Sequence, residues 1–525
     1  MNSLYRHGLM REVAVCAACL AFAMVVTIVI GHDANWDLRN YHLYNAYAFY
    51  EGRYHLDLMP VGVQSYLNPL MDIPYFIIAT RFGLQAASIY LALYYGALVY
   101  VAWKINQYVF SELHLIHGGS MLSCRIIYPL TATLLGISAS ATLSQSATTF
   151  NEIQLALLIL AGVLILLAEL KAAQGRPYGA ALAGVLFGAA AGLKLTAAIY
   201  TPAVLIALAF ASPNFRFVRL CIAFGVGWAA GALLTFGWWG WLVYELFDNP
   251  IFPFYNGVFR SSWYPPVNFS DNRFFPENAV EWLLYPLNWA FHPSHDVTEP
   301  PMQDPRLAAF LFSLPIIAIF FSRLLVISNR LRFLILFSLL SYAVWLVQFS
   351  VLRYAVSVEI LAGTVVILLL AAAVSSYRRG GSVAAVVASV LILATMQLAT
   401  TYPRWGRIDF PEKAYYFEFP AIPPQTLVLM NGQPTGIVIP FIRQEGVAFL
   451  GALPQTAVAD GFGLVEEMRR RVAEHRGPLR VIIRGTPDAA SLSILGVEAQ
   501  TGTCQSVRTN IENDTDIMIC DARRI

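Results

Sequence analysis

Asp33 and Asp37 stand four residues apart in "HDANWDLRNYH", directly after an apolar run that ends at Ile30. The same stretch carries Arg39 and His42, and it continues through Glu51, His55, Asp57 and Asp72 among many tyrosines. Carboxylates accept hydrogen bonds from hydroxyls, and aromatic faces pack on sugar C–H faces, so the mixture suits carbohydrate recognition. A positioned carboxylate is also a suitable general base for an attacking hydroxyl. Two basic residues complete the chemistry. Lys194 lies in "GLKLT", and Arg353, beside Tyr354, lies in "LRYAVSVE". Fixed cations of this kind can hold an anionic group, and Arg contacts a carboxylate or phosphate in bidentate fashion.

Each residue also has an ordinary role to set beside the chemical one. Asp37 suits a helix N-cap or an ion pair with Arg39, and "GHDAN" around Asp33 is common turn chemistry. Lys194 has apolar neighbours on both sides; an ammonium at a helix centre costs about 2.5–3.5 kcal/mol, which snorkelling to an interface avoids. Glu359 falls inside an apolar segment, where it needs a partner such as Arg353, and a structural role is favoured. "FHPSHDVTEP" offers His292, His295, Asp296 and Glu299 as metal ligands, but the spacing matches no metal signature. A divalent metal is therefore possible but not favoured, and no other cofactor is expected.

The elements that must position these groups cross a membrane. Of 525 residues, 58% are hydrophobic and 13% are charged, against about 25% in soluble proteins. Eleven segments are apolar enough to span, at about 12–30, 84–103, 126–143, 152–170, 179–193, 196–211, 218–240, 307–322, 331–350, 355–375 and 382–400. The fifth and sixth are short and divided by "GLKLT". The first has no ordinary cleavage site after it and reads as a retained helix. Every second loop is basic: Arg6 and Arg11, Lys104 and Arg125, Lys171 and Arg176, Arg216 and Arg219, Arg323 with Arg330 and Arg332, Arg378 and Arg379. These loops are expected on the cytoplasmic side, which puts the N-terminus inside and the C-terminus outside.

Three large pieces then face outward: loops of about 31–83 and 245–306, and a tail over 401–525. The second loop, dense in Phe, Tyr and Trp, suits an interfacial belt or a lid over a sugar site. The chain accordingly divides into a membrane unit, 1–400, and a small α/β extracytoplasmic domain, 401–525. In that domain "TLVLMNG", "TGIVIP", "LRVIIRG" and "TDIMICDA" read as strands and "LVEEMRRRVAEHRG" as a helix. Its Cys504 and Cys520 are expected to pair if they face an oxidising space; Cys16, Cys19, Cys124 and Cys221 read as small apolar residues. A net charge of +2 gives no hint of nucleic-acid binding.

Four motifs resemble those of the GT-C superfamily of integral membrane glycosyltransferases, which includes protein O-mannosyltransferases and the lipid A aminoarabinose transferase. They are "HDANWDLRNYH" after the first span, "GLKLT", "DNPIFPFYN" opening the second loop, and "LRYAVSVE". The resemblance covers about residues 10–400. It implies a sugar donor linked to a polyprenyl phosphate, an acceptor on the outer side, and a catalytic acid in the first loop. By position Asp37 matches that acid, with Asp33 as the fallback. Lys194 and Arg353 are then expected on the donor phosphate, and His42, Arg39 and Tyr354 on substrate. A single displacement inverts the anomeric centre and needs no second carboxylate as nucleophile. The orientation suggests a bacterial inner membrane with a periplasmic active face; the same logic fits an endoplasmic-reticulum protein with a lumenal one, and the short loops and compact tail favour the bacterium. The alternatives are a transporter or flippase of lipid-linked sugars, an O-antigen-ligase-like transferase, or a non-catalytic assembly subunit. No repeat relates the two halves, and the spans hold little charge away from their ends, which favours transfer over transport.

Overall fold

A computed structural model describes the chain except residues 1, 118–121, 172–176, 213, 270, 314, 316–327, 376–380, 411–413 and 512–515. Six helices are long and apolar enough to cross a bilayer: Gly8–Ile30, Leu84–Leu115, Glu152–Glu169, Arg216–Phe247, Asn329–Gln348 and Leu352–Ala373. Four shorter apolar helices follow the same pattern: Ser123–Ile137, Tyr178–Leu193, Leu195–Ala211 and Val383–Leu398. These ten lie on ten of the eleven expected spans. Half of the remaining one, 307–322, lies outside the described residues, as do Arg176, Arg323, Arg378 and Arg379.

Two breaks in the helices matter for the site. Tyr178–Leu193 stops at Lys194, whose backbone is extended at φ −152 and ψ 121, before a 3-10 turn at Leu195–Ile199. "GLKLT" therefore divides two helices, as its short flanks suggest. The expected span 126–143 is not one helix. It ends at Ile137, and after an extended Ala139 a five-residue helix, Ser140–Ser144, begins. The free N–H groups of that short helix are taken by two acids. Asp304 accepts from the Ser140 N–H at 2.7 Å, and Glu359 from the N–H and Oγ1 of Thr142 at 2.8 and 2.6 Å. A carboxylate at a helix N-terminus satisfies orphan donors and meets the positive end of the dipole. Glu359 is thus a structural residue. The pairing with Arg353 expected from the sequence is not made; its partner is a helix end.

Tyr178–Leu193, which delivers Lys194, packs on Asn214–Ala232 through glycines. A Cβ at Gly184 or Gly188 would overlap the carbonyls of Phe224 or Trp228, and one at Gly227 or Gly231 those of Ala181 or Val185. Reciprocal small residues let two helix backbones touch, which is how helices associate where no hydrophobic drive operates.

The tail holds seven strands: β1 Phe417–Glu418, β2 Leu427–Asn431, β3 Ala448–Gly451, β4 Leu479–Arg484, β5 Val497–Ser506, β6 Arg508–Thr509 and β7 Ile517–Arg524. Five of them form a sheet in the order β3-β2-β4-β7-β5, and β1 pairs with β6. β2 runs parallel to β3 and β4; β7 is antiparallel to β4 and β5. Cys504 in β5 and Cys520 in β7 form a disulfide. "TGIVIP" is not a strand. It is a 3-10 turn, Gly436–Phe441, buried against the first loop. A Cβ at Gly436 would overlap the Asn40 carbonyl, and Pro440 has no N–H for a ladder.

The sheet is not separate from the first loop. Leu58 donates to the Phe449 carbonyl at 3.0 Å and accepts from the Gly451 N–H at 2.9 Å, so this loop extends the sheet past β3. Buried Leu43, Tyr44 and Tyr66 share one apolar core with Leu429, Ile439 and Phe449. Arg53 clamps the junction, donating to both oxygens of Asp57 at 2.8 Å and to the Val447 carbonyl at 2.8 Å.

Candidate active site

The first loop is helical where it carries its acids. Asn35 accepts from the Leu38 N–H at 2.7 Å and so starts a five-residue π-helical turn, Leu38–His42. A residue other than Asp37 therefore takes the capping role. Asp37 is buried, accepts from the Tyr41 hydroxyl at 3.1 Å, and pairs with Arg353 Nη1 at 3.2 Å. Its basic partner comes from far along the chain and is not Arg39, which is half-buried two residues away. Burial, and then the charge of Asp37, pushes the Tyr41 phenol well above its ordinary range, so it stays a donor.

Asp33 is used up structurally. Its carboxylate accepts from the Asn35 N–H at 3.2 Å, from Asn35 Nδ2 at 2.8 and 3.0 Å, and from the N–H and Oγ1 of Thr149 at 2.8 Å. It ties the first loop to the turn before Glu152–Glu169. Nearby, Arg407 donates to the carbonyls of Gly31 and Ser144 at 2.9 and 3.1 Å, and also to that of Ser146. Burial lowers the Arg407 guanidinium to about 10.

Arg353 also reaches the Tyr354 hydroxyl at 3.2 Å, and its guanidinium lies over the rings of Phe150 and Tyr354 at 5.3 and 5.2 Å. Lys194 Nζ also lies over the Tyr354 ring, 5.4 Å from its centre. It donates to the Phe150 carbonyl at 3.0 Å and pairs with Glu152. Lys194 is thus anchored at both a backbone carbonyl and a carboxylate. Asp37, Arg353, Tyr354 and Lys194, spread over more than three hundred positions, form one connected cluster.

His42 sits on the adjacent face. Its Nδ1 meets Asp72 Oδ1 at 2.9 Å, which also accepts from Asn151 Nδ2 at 2.9 Å. The Tyr41 and His42 rings are in contact, 4.2 Å between centres. The second long loop approaches as well. Asp271, held below the ordinary carboxylate range first by Arg273, also feels Arg353, and so does Glu299. His292, His295 and Asp296 are exposed. The His295 ring meets the Glu299 carbonyl at 2.7 Å, and the Glu299 carboxylate pairs with Arg273 at 3.2 Å. Among the described residues no three His, Cys, Asp or Glu side chains are gathered as a metal site requires.

Sequence reasoning missed Glu152 and Asn151, and named Asp72 among the acids of the first loop without giving it a role. "FNEIQ" places an acid at the start of an apolar helix, at the same end as Lys194, and that was the available signal.

No family model and no curated protein matches the sequence. Two solved structures share its fold. One is ArnT from Cupriavidus metallidurans bound to undecaprenyl phosphate, at 12% identity over 98% of each chain with a TM-score of 0.52. The other is the same protein in the apo state, at 11% identity over 99% of this chain and 98% of that one, also 0.52. ArnT is the lipid A aminoarabinose transferase, a GT-C glycosyltransferase. At this identity the likeness is one of fold, and it is the fold that the four sequence motifs resemble. With its apolar helices, it makes the chain a multi-pass membrane protein.

Proposed function

We propose that this protein is a membrane glycosyltransferase that moves a sugar from a polyprenyl-phosphate donor to an acceptor on the outer face of a bacterial inner membrane. The observation that carries the reading is the Asp37–Arg353 pair at 3.2 Å, joined through Tyr354 to Lys194. A base and two cations at one point are what the reaction needs. Asp37 takes the proton of the acceptor hydroxyl as its oxygen attacks the anomeric carbon. Lys194 and Arg353 hold the phosphate as the C–O bond to it breaks and negative charge gathers there. Asp33, with five hydrogen bonds already made, holds the loop and is not the base. His42, Arg39 and Tyr354 contact substrate. No step is routed through a metal, and the exposed His292, His295 and Asp296 are left without a catalytic role.

The eleven crossings put the N-terminus in the cytoplasm and the tail, 401–525, in the periplasm. The shared fold with ArnT supports an undecaprenyl-type lipid as the donor's carrier. The acceptor's identity is open to any hydroxyl at that face.

A single displacement, in which the acceptor oxygen bonds to the anomeric carbon as the bond to the phosphate oxygen breaks, inverts the anomeric centre. The product's anomeric proton, read by NMR, is expected to show the configuration opposite to the donor's. Retention of configuration overturns the single displacement. Full transfer by Asp37→Ala in folded protein overturns the assignment of the site.

A further inference from the structure

Each cation of the site already holds a carboxylate, Lys194 that of Glu152 and Arg353 that of Asp37. The cluster is therefore neutral: two positive and two negative charges. A phosphate brought to it gains little from the cations unless it replaces their counter-ions. In each pair the cation is the more accessible member. Lys194 is 20% exposed against 4% for Glu152, and Arg353 is 15% against 8% for Asp37. An anion arriving from outside meets the cations first.

Both pairs are also incompletely satisfied. Glu152 Oε2 and Arg353 Nε are buried with no hydrogen-bond partner among the described residues. An ionic cluster with open donors and acceptors is a poor structural device, because the unmet groups carry their full desolvation cost. It is a good device for exchange. A phosphate brings several strong acceptor oxygens, enough for Lys194 Nζ, the Arg353 terminal nitrogens and the open Nε.

We propose that Glu152 and Asp37 are the resident counter-ions of this phosphate site, and that the donor binds by displacing them from Lys194 and Arg353. This rests on the transferase reading and adds Glu152 to its machinery. It also orders the events. As Arg353 turns to the phosphate, Asp37 is left as an unpaired carboxylate, a stronger base than one held by a guanidinium. The base is released only when a donor is seated, and hydrolysis or misdirected attack is suppressed until then.

The test is the binding of undecaprenyl phosphate to the full-length protein in detergent, with thermal unfolding as the check on folding. Removing a competing anion strengthens binding, so Kd for Glu152→Gln is expected to fall about tenfold, and Kd for Lys194→Gln to rise by at least about tenfold. Asp37→Asn is expected to bind more tightly while losing transfer. If Glu152 merely held Lys194 in place, its loss would weaken binding; an unchanged or higher Kd in folded Glu152→Gln overturns the proposal and leaves the transferase reading intact. Wild-type binding by Lys194→Gln overturns both. Should Glu152→Gln fail to fold, Glu152→Asp replaces it: the shorter carboxylate loosens the pair, and Kd falls by about threefold. A rise in that variant also overturns the proposal.

Discussion

At the scale of single residues, the two acids that look alike in sequence have different environments. Asp37 keeps lone pairs for a ligand, whereas Asp33 is saturated by Asn35 and Thr149. Changing Lys194 or Arg353 to Gln is expected to raise KM for a polyprenyl-phosphate donor by tenfold or more, since each removes a charged hydrogen-bonding partner of about 1.5–3 kcal/mol. Steady-state kinetics with the donor varied checks this. His32 gives a prediction about pH. It is buried, with Nδ1 against Ser88 Oγ at 2.9 Å, and burial, opposed by the charge of Asp33 and aided by that of Arg407, lowers its pKa to about 4 from an ordinary 6.5. The unfolded chain then binds more protons than the folded one between those values. Stability is therefore full above about pH 6.5 and is lost as pH falls toward 4, by up to about 3 kcal/mol for this group. Unfolding midpoints across that range are expected to flatten in His32→Gln. The identity of both aspartates as candidates was legible, because acids after an apolar run are few. Which one is free was not, because Thr149 and Arg353 approach from far along the chain.

At the scale of elements, the break at Lys194 sets where a cation meets Tyr354. The helix that ends there is positioned by glycine contacts with Asn214–Ala232. Gly188→Leu puts a side chain where the Trp228 carbonyl lies, so the helices part and Lys194 moves with them. Overpacking of this kind costs about 1–3 kcal/mol, and donor turnover is expected to fall along with the unfolding midpoint. An unchanged midpoint and unchanged turnover would show that the contact has slack. Helices were legible from apolar length, and the "GLKLT" division from the short runs on either side. The stop at Ser138 was not, since nothing local marks it; Glu359 and Asp304 create it by capping the helix that follows. "TGIVIP" has strand-like residues and becomes a 3-10 turn because Gly436 lies against Asn40 of another element. The short β3 was likewise hidden, since only the sheet and Leu58 make "AFLG" a strand.

Across the whole molecule, the tail and the first loop are one structural body. Gly31 and Ile408 are in close contact, His32 and Ile408 form a bridge, and Arg407 fastens the carbonyl of Gly31 to those of Ser144 and Ser146, two segments that lead to the site. The tail reads in sequence as a separate domain, yet its core is completed by Leu43, Tyr44 and Tyr66. Removal of residues 401–525 is therefore expected to unfold the first loop and abolish activity, not merely to delete an appendage. Limited proteolysis of the truncated protein, which should cut within 31–83 far faster than in the full chain, checks this. Sidedness is the other property of this scale. Alternating basic loops placed Asp37, Lys194 and Arg353 at a common face, and in the folded chain they meet.

Donor consumption bears on the transferase account most directly. Purified wild-type protein in detergent, given a polyprenyl-phosphate sugar and an acceptor extract, is expected to release free polyprenyl phosphate. Asp37→Asn, folded to the same midpoint, is expected to release it about 10²–10⁴ times more slowly. Equal release by the two proteins, or no release by wild type from any such donor, would contradict it.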